Sequence, residues 1–538
     1  MEFKRYADAR LPHARVVAIE GDPETACGIL EGVYKLYEKH SAMLTKYGAA
    51  NLEQLWEKGG KAPRVAVVID EFQILFEDES TKYDATKYLE KLIKEGRAAG
   101  FNVILATQNP ANVPSAIKDN VTTRIVMKNK REIFTEVAGF QNKEFCDQVT
   151  MPGEFLLIES GTPVLGRSAL ILDDYQDKLL KKISEEASGI ALDFETLIFN
   201  GQSFPSGENN IFQRMLRKAS AQKNATFVLG EDKTLSRSVY CTLSEEAGEN
   251  LLIAGNHGGQ IDLNMDMDDE EDFGGNEVQC SNAVYWTLAQ SLNPMLVNGE
   301  VALSIYDRKD YFTPYLSCNA AYKTIANPKM LAKEIFDLYA LVKERDNGAD
   351  SSERKMLAIM NAQTLYQLKE LRNEPAEQPP APAAPTFTSR PAAPAVAQAK
   401  QGSLLAGLSA PAKISNTPTV FAAASPRPAA GGGAVPANLT ASQALQYILQ
   451  YGPQYNVYVI MSSSNLGILL RDVMERMTNL KNLFHHIICM QMSEDDLSVQ
   501  LGIRSLRIGD MGAKHAFYAN EIASPKPQRF RPYFDENL

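Results

Sequence analysis

LEKLIKEGRAAGFNVILATQN, residues 89–109, lies without a gap on LQYILQYGPQYNVYVIMSSSN, residues 445–465, with Gly96 falling on Gly452 and Asn109 on Asn465. A helix-length stretch, a glycine turn and a β-branched run that recur in one order and spacing mark a duplicated unit. The agreement continues downstream. RIVMKNKREIFTEVAG (124–139) follows HIICMQMSEDDLSVQLG (486–502) with one residue of slippage, and GEFLLI (153–158) follows GAKHAFY (512–518). The chain therefore holds two copies of one α/β domain, and any fold proposed for it must be built twice.

The bulk numbers are consistent with this. A chain of 538 residues has room for two to four domains. Its net charge of −11 gives no global basic field toward nucleic acid or an anionic membrane, so any DNA contact must be local. Six scattered cysteines without a C-x-x-C pair fit a reducing cytoplasm, with free and mostly buried thiols. The sequence has no apolar run of about 18 residues and no signal-peptide core in MEFKRYADAR, so a soluble chain without a transmembrane segment is expected. Residues 375–437 are packed with Pro, Ala, Gly and Ser. Such a stretch cannot bury enough apolar surface to offset its ordering entropy, and it reads as a disordered insertion inside the second copy.

Within the first copy, ARVVAI (14–19), RVAVVI (64–69), FNVIL (101–105), TRIVMK (123–128) and GEFLLIE (153–159) read as strands, with helices over 23–46 and about 84–99 and another between the last two strands. The second copy gives strands at NLLIAG (250–255), EVALSIYD (300–307) and RKMLAIMNA (354–362), and a helix at SNAVYWTLAQSL (281–292). RVAVVIDEFQILFED (64–78) is apolar on both faces, as in a buried parallel strand, and stops on two carboxylates. Ligands of parallel sheets bind beyond the strands' C-terminal ends. An Asp there can hold Mg²⁺ on a nucleoside triphosphate and a Glu beside it can polarise an attacking water, which is the Walker B arrangement. A strand that simply ends in solvated acids is the plainer alternative.

VAVVIDEFQIL, EGRAAGFNVILATQNP, DNVTTRIVMK and MPGEFLLI stand in the order and spacing of the FtsK/SpoIIIE family, the hexameric P-loop ATPases that pump double-stranded DNA. The chain resembles that family closely over about 1–175 and more loosely over 225–538. The resemblance implies two RecA-like P-loop NTPase domains with mainly parallel sheets, at 1–180 and 225–538, joined by a connector at 181–224. It implies ATP and Mg²⁺ as cofactors, double-stranded DNA as substrate and a homo-oligomeric ring. It makes Asp70 the Mg²⁺-side carboxylate, Glu71 the base, and Thr107 and Gln108 the strand-end residues that meet the γ-phosphate. Arg97 and Arg124 stand at family motif positions, and either can serve as the arginine that reaches a neighbouring subunit's phosphates; a structural ion pair is the alternative for each. Lys118, Arg124, Lys128, Lys130 and Arg131 form the basic clustering near a motif, open to phosphate contact or to plain solvation.

The phosphate loop G-x-x-x-x-G-K-[ST] is missing from residues 1–63. KGGKAP (58–63) fails the pattern and precedes a strand instead of opening a helix. By resemblance the first domain is expected to be N-terminally incomplete, its loop coming from an upstream portion, with or without a membrane anchor, or from a separate chain. The second copy keeps Gly255 and Gly258 of the loop, but Gln260, Ile261 and Asp262 replace the glycine, lysine and hydroxyl. An acidic run follows, better read as a solvated loop than as a Ca²⁺ loop. Asn361 and Ala362 stand in place of Asp-Glu, Ser464 in place of Gln108 and Pro453 in place of Arg97. The second copy is expected to be a pseudo-ATPase. A DNA motor is the leading expectation, with a type VII secretion-like protein-export ATPase and a non-catalytic scaffold as alternatives.

Overall fold

The structure, a computed structural model, describes residues 11–19, 23–159, 162–190, 196–201, 203–235, 237–256, 279–373, 435–475, 478–506, 513–520 and 524–535. Most of the Pro/Ala-rich insertion and the altered loop beyond Asn256 lie outside them.

The first repeat opens with β1 (Val16–Ile19) and α1 (Pro23–Tyr47), followed by α2 (Leu52–Glu57), β2 (Val65–Ile69), α3 (Glu79–Glu95) and β3 (Phe101–Leu105). It closes with α4 (Ser115–Lys118), β4 (Thr123–Met127), α5 (Arg131–Ala138), β5 (Glu154–Glu159) and β6 (Thr162–Arg167). The stretch read as a connector, 181–224, carries elements of its own: α6 (Asp173–Ala187) runs into it, and β7 (Leu197–Asn200) and α7 (Asn210–Ser220) lie within it. The second repeat supplies β8 (Thr226–Asp232), β9 (Ser238–Thr242), β10 (Leu251–Ala254), α8 (Cys280–Val297), β11 (Val301–Tyr306), β12 (Tyr322–Thr324) and α9 (Pro328–Asp346). It continues with β13 (Arg354–Ile359), α10 (Ala441–Tyr451), β14 (Val457–Ser463), β15 (His486–Cys489), β16 (Ala516–Asn520) and β17 (Ser524–Arg531).

Local chemistry sets these boundaries. Asn51 accepts the amide of Gln54 at the start of α2, and Thr440 with Gln443 forms a capping box on α10. Gly96 and Gly452, matched by the repeat, end equivalent helices. A Cβ on Gly96 would lie 2.3 Å from the Leu92 carbonyl oxygen, and one on Gly452 would lie 2.6 Å from that of Val457. Both turns exclude a side chain.

One ten-stranded sheet organises the second repeat in the order β12-β11-β13-β14-β10-β15-β16-β17-β8-β9, parallel from β12 to β15 and antiparallel beyond. β13 and β14 pair directly, although the insertion separates them in sequence. The first repeat carries the same parts with a gap. β2 pairs only with β3, β4-β5-β6 form a separate antiparallel sheet, and β1 pairs with β7. In repeat order β2, β3 and β4 correspond to β13, β14 and β15, so the central β10, the helix α8 and the strand β11 have no counterpart among the described residues of the first repeat.

Side-chain exposure follows that gap. Val65, Val67, Ile69, Val103 and Leu105 face the core formed with α1 and α3. The expectation that the 65–69 strand is buried on both faces is not met: Val68 is 65% exposed and Ile104 57%, and Ile125 and Met127 on β4 are also exposed. The repeat explains why. Phe101 is the counterpart of Val457, so Ile104 corresponds to Ile460, and the pairings Val65 with Phe101 and Lys355 with Val457 make Val68 the counterpart of Ala358. Val126 and Leu156 pack on Phe134 as Cys489 and Phe517 share a core with Leu497, which puts Ile125 and Met127 on the side of Ile488 and Met490. Those four counterparts are buried in one cluster with Tyr285, Leu288 and Leu292 of α8. The first repeat thus exposes the apolar face that α8 covers in the second.

β17 ties the two repeats together. Arg529 forms an ion pair with Glu24 at 2.9 Å, and Arg531 lies 4.0 Å from the Phe199 ring centre while donating to the Asn200 carbonyl at 2.8 Å. The six cysteines are unpaired; Cys27, Cys241 and Cys489 are buried and Cys318 is exposed. Among the described residues, no helix is long and apolar enough to cross a membrane.

Candidate functional site

β2 and β3 run parallel and end together, which brings Asp70, Glu71, Thr107 and Gln108 to one sheet edge. Glu71 adopts left-handed backbone (φ 47°, ψ 42°), a conformation that costs a non-glycine residue about 1 kcal/mol or more and is concentrated at functional sites. That turn brings the following short helix, Phe72–Phe76, back over the strand end. Phe72, Leu75 and Phe76 bury themselves in the α1–α3 core and fix the turn from below.

Both oxygens of the Glu71 carboxylate have partners. The Gln73 side-chain amide donates to Oε2 at 2.7 Å, and the Gln108 side-chain amide donates to Oε1. These bonds stabilise the charged form. The Gln73 hydrogen bond, helped by Gln108 and opposed by burial, holds Glu71 below the usual carboxylate range. The Thr107 hydroxyl donates to the Gln73 side-chain oxygen, and the Asn129 amide reaches the Gln108 carbonyl at 3.4 Å. Asp70 is exposed and accepts the Glu71 backbone amide at 3.0 Å. Asp70, Glu71, Thr107 and Gln108, all named from the sequence, lie together at this edge, and Gln73, which the sequence reading did not name, lies with them. Its signal was available two positions after Glu71, on the first turn of a helix that must fold back.

The two arginines separate. Arg124 donates to the carbonyls of Lys118 at 2.9 Å, Val137 at 3.1 Å and Val121 at 3.3 Å. It anchors α4 and α5 within its own repeat. Arg97 is exposed and precedes β3, at the opposite end of the sheet from Glu71. Most of the basic cluster is engaged internally: Lys118 pairs with Glu136 at 2.9 Å, Arg131 with Asp147 at 3.2 Å, and Lys128 donates to the Thr150 carbonyl at 2.9 Å. Lys130 is exposed.

The second repeat preserves the outline of this edge. Asn361 is left-handed (φ 58°, ψ 47°), and the Gln363 amide donates to its side-chain oxygen and to Ser464 Oγ. Asn361 is therefore the counterpart of Glu71 and Met360 that of Asp70. The expected placement of Asn361 and Ala362 against Asp-Glu is one residue too far along, because a left-handed residue follows each strand. Ser463 repeats the Thr107 turn, bonding the Asn465 carbonyl at 3.0 Å as Thr107 bonds that of Asn109 at 3.1 Å. Gly255 follows β10, has φ 124°, donates to the Ser463 carbonyl at 3.0 Å, and could carry a Cβ only 2.8 Å from the Gln491 carbonyl oxygen.

Among the described residues, no group of three or more acidic, His or Cys side chains gathers to hold a metal. Asp70 alone fits the Mg²⁺ usage in which one carboxylate combines with phosphate oxygens and water. The described residues thus bring two carboxylates and two side-chain amides to one strand-end edge, with no Gly-rich phosphate loop among them.

Comparison with known proteins agrees with the recognised resemblance. The family profile described as zonular occludens toxin (Zot) matches residues 35–135. The DNA translocase FtsK of Helicobacter pylori (strain J99 / ATCC 700824) is 31% identical over 174 residues, covering 31% of this chain and 20% of that protein. DNA translocase SpoIIIE of Bacillus subtilis (strain 168) is 24% identical over 188 residues, covering 32% and 23%. The chain spans about a fifth of the length of these relatives. Among solved structures, ATPases 2 and 3 of Thermomonospora curvata EccC, in complex with a signal sequence peptide, superpose with a TM-score of 0.52 at 12% identity over 100% of this chain and 81% of that one. ATPases 2 and 3 of EssC from Geobacillus thermodenitrificans give 0.51 at 10%, over 100% and 84%. The fold is that of tandem RecA-like P-loop ATPase domains.

Proposed function

We propose, taking this FtsK/SpoIIIE-type resemblance as premise, that the chain is the tandem ATPase part of an ATP-driven motor that moves double-stranded DNA. Residues 1–180 form the hydrolytic repeat and 225–538 a pseudo-ATPase repeat, with 181–224 between them. The Asp70–Glu71–Gln108 edge is the observation that carries this reading. Asp70 would hold Mg²⁺ on ATP, Glu71 would accept a hydrogen bond from the attacking water, and Gln108 and Thr107 would sense the terminal phosphate. Mg²⁺, when bound, would supply charge neutralisation between the phosphates. The phosphate loop is carried by polypeptide that completes the first sheet between β3 and β4, in the place of β10, with its helix covering Val68, Ile104, Ile125 and Met127. Arg97, exposed and remote from its own Glu71, is the arginine available to a neighbouring subunit, which supports a homo-oligomeric ring. On this reading the protein works in the cytoplasm.

A second reading is protein export. The tandem arrangement supports it, and the similar EccC structure holds a signal sequence peptide. The test is ATP hydrolysis by the full-length native protein with double-stranded DNA or with candidate exported peptides. Stimulation by DNA, lost in Glu71→Gln, is the expected result. Stimulation by peptide with DNA inert assigns the chain to export, and no hydrolysis with either leaves a scaffold.

A further inference from the structure

Gln73 joins the two strand ends of the site. Its amide nitrogen donates to Glu71 Oε2 at 2.7 Å, just after β2, while its oxygen accepts the Thr107 hydroxyl, just after β3. The second repeat makes the same tie from different chemistry. Gln363 donates to Asn361 and Ser464 and accepts the Ser464 backbone amide at 3.3 Å. There the carboxylate and the sensing amide are gone, yet the glutamine still bridges the strand ends. Attraction to a charge is therefore not what aims it. The left-handed residue two positions earlier and the buried short helix aim it in both repeats.

We propose that Gln73 is a positioning residue that fixes the Glu71 carboxylate to the Thr107–Gln108 segment, so that the general base and the phosphate-sensing residues move as one unit. This rests on the ATPase reading above. In the structure Glu71 is fully engaged, with Oε2 on Gln73 and Oε1 on Gln108. If Gln108 turns toward a phosphate oxygen, Oε1 becomes free to accept a hydrogen bond from water. Besides the long contact from the Gln108 backbone amide at 3.5 Å, Gln73 supplies the short bond that keeps Oε2 in place at that moment. A carboxylate held through one oxygen keeps its orientation with the other available, which general-base geometry requires. The Glu71 carboxylate, which can only accept, restrains the Gln73 amide from flipping and leaves its oxygen to the Thr107 hydroxyl, so the tie has a fixed sense of donor and acceptor.

The test uses the full-length native protein with Gln73→Met, which keeps the side-chain length without its donor or acceptor, and with Gln363→Met as the matched change in the second repeat. A merely structural tie predicts similar small changes in melting temperature and unchanged catalysis for both. Under the proposal, Gln73→Met lowers kcat by about 10- to 100-fold with KM for ATP little changed, as for loss of an orienting partner of a reacting group. Gln363→Met does not. Wild-type kcat in Gln73→Met, with Glu71→Gln inactive, overturns the proposal while sparing the ATPase reading. An active Glu71→Gln overturns both. Should Gln73→Met fail to fold, Gln73→Asn, which draws the amide back by one methylene, carries the same expectations.

Discussion

Ile104 and Ile460 occupy the same place in the two repeats, on the same face of equivalent strands, yet Ile104 is 57% exposed and Ile460 1%. Truncating each to alanine turns that contrast into a measurement of whether the first sheet is bare. Removing a buried isoleucine to alanine costs about 2–5 kcal/mol, and Ile460 contacts the core formed with α8, so about 3–4 kcal/mol is expected there. Ile104 has less than half of its surface to lose and leaves no closed cavity, so about 1 kcal/mol is expected. The chain's two tryptophans separate the readouts: Trp56 lies in α2 of the first repeat and Trp286 in α8 of the second. Urea denaturation followed by Trp56 in a Trp286→Phe background, and by Trp286 in a Trp56→Phe background, reports each repeat by itself, as a two-repeat chain requires. At a slope of roughly 2 kcal/mol/M, the Trp56 midpoint should fall by about 0.5 M in Ile104→Ala and the Trp286 midpoint by about 1.5–2 M in Ile460→Ala. Equal shifts would mean that the first face is already covered, and the argument for a missing strand and helix would fail. In the native protein with its phosphate-loop polypeptide in place, the cost at Ile104 should rise toward that at Ile460.

Three further changes probe the site and its support. Glu71→Gln in the full-length protein should reduce ATP turnover by roughly 10²–10⁴ while leaving nucleotide binding intact, measured by steady-state hydrolysis beside equilibrium titration. Arg97→Ala should leave urea midpoints nearly unchanged but reduce hydrolysis, whereas Arg124→Ala, which strands three carbonyls, should lower the Trp56 midpoint by an amount equivalent to about 2–3 kcal/mol. Burial pushes Glu231 up to about 7 even with Arg531 3.8 Å away. Its folded-state value lies above its unfolded one, so the folded chain binds the extra proton, and the stability this lends is present below about 4.5 and lost as pH rises through about 7. The Trp286 midpoint should therefore be higher at pH 5 than at pH 8; a rise with pH would refute the assignment.

The strands and their order were legible because each carries its own period and the repeat supplies a second, independent register. FNVIL and TRIVM became β3 and β4 where the apolar runs lie, and Asp70, Glu71, Thr107 and Gln108 met at one edge because parallel strands put their C-terminal ends together. Three things were not legible. Val68 and Ile104 look like buried residues in sequence, since hydrophobicity reports what a face is suited to contact and not whether the contact is present. Arg124 looks like a free cation because its partners are backbone carbonyls, which have no sequence signature. The Walker B counterpart slipped by one residue because composition alone aligned Asn361 and Ala362 with two acids, while the backbone aligns left-handed Asn361 with left-handed Glu71.

That last correspondence constrains what the second repeat is for. Left-handed backbone at a non-glycine residue is unfavourable, and asparagine tolerates it better than glutamate does. Asn361 is thus the less strained solution to a turn that no longer needs a carboxylate. A repeat under no constraint at this edge could lose the turn, the glutamine and the strand-end hydroxyl together. Instead Gln363, Ser463 and Ser464 keep the β13–β14 ends joined, and Gly255 still packs against Ser463 and Gln491. If the second repeat is the pseudo-ATPase proposed above, its edge keeps the geometry without the carboxylate and the strand-end amide, as a surface used for its shape would. Ser464→Gln with Asn361→Glu should therefore restore no hydrolysis, because Met360 still occupies the place of Asp70. Measurable turnover from that double variant in a Glu71→Gln background would show that the second repeat is an impaired enzyme and not a scaffold.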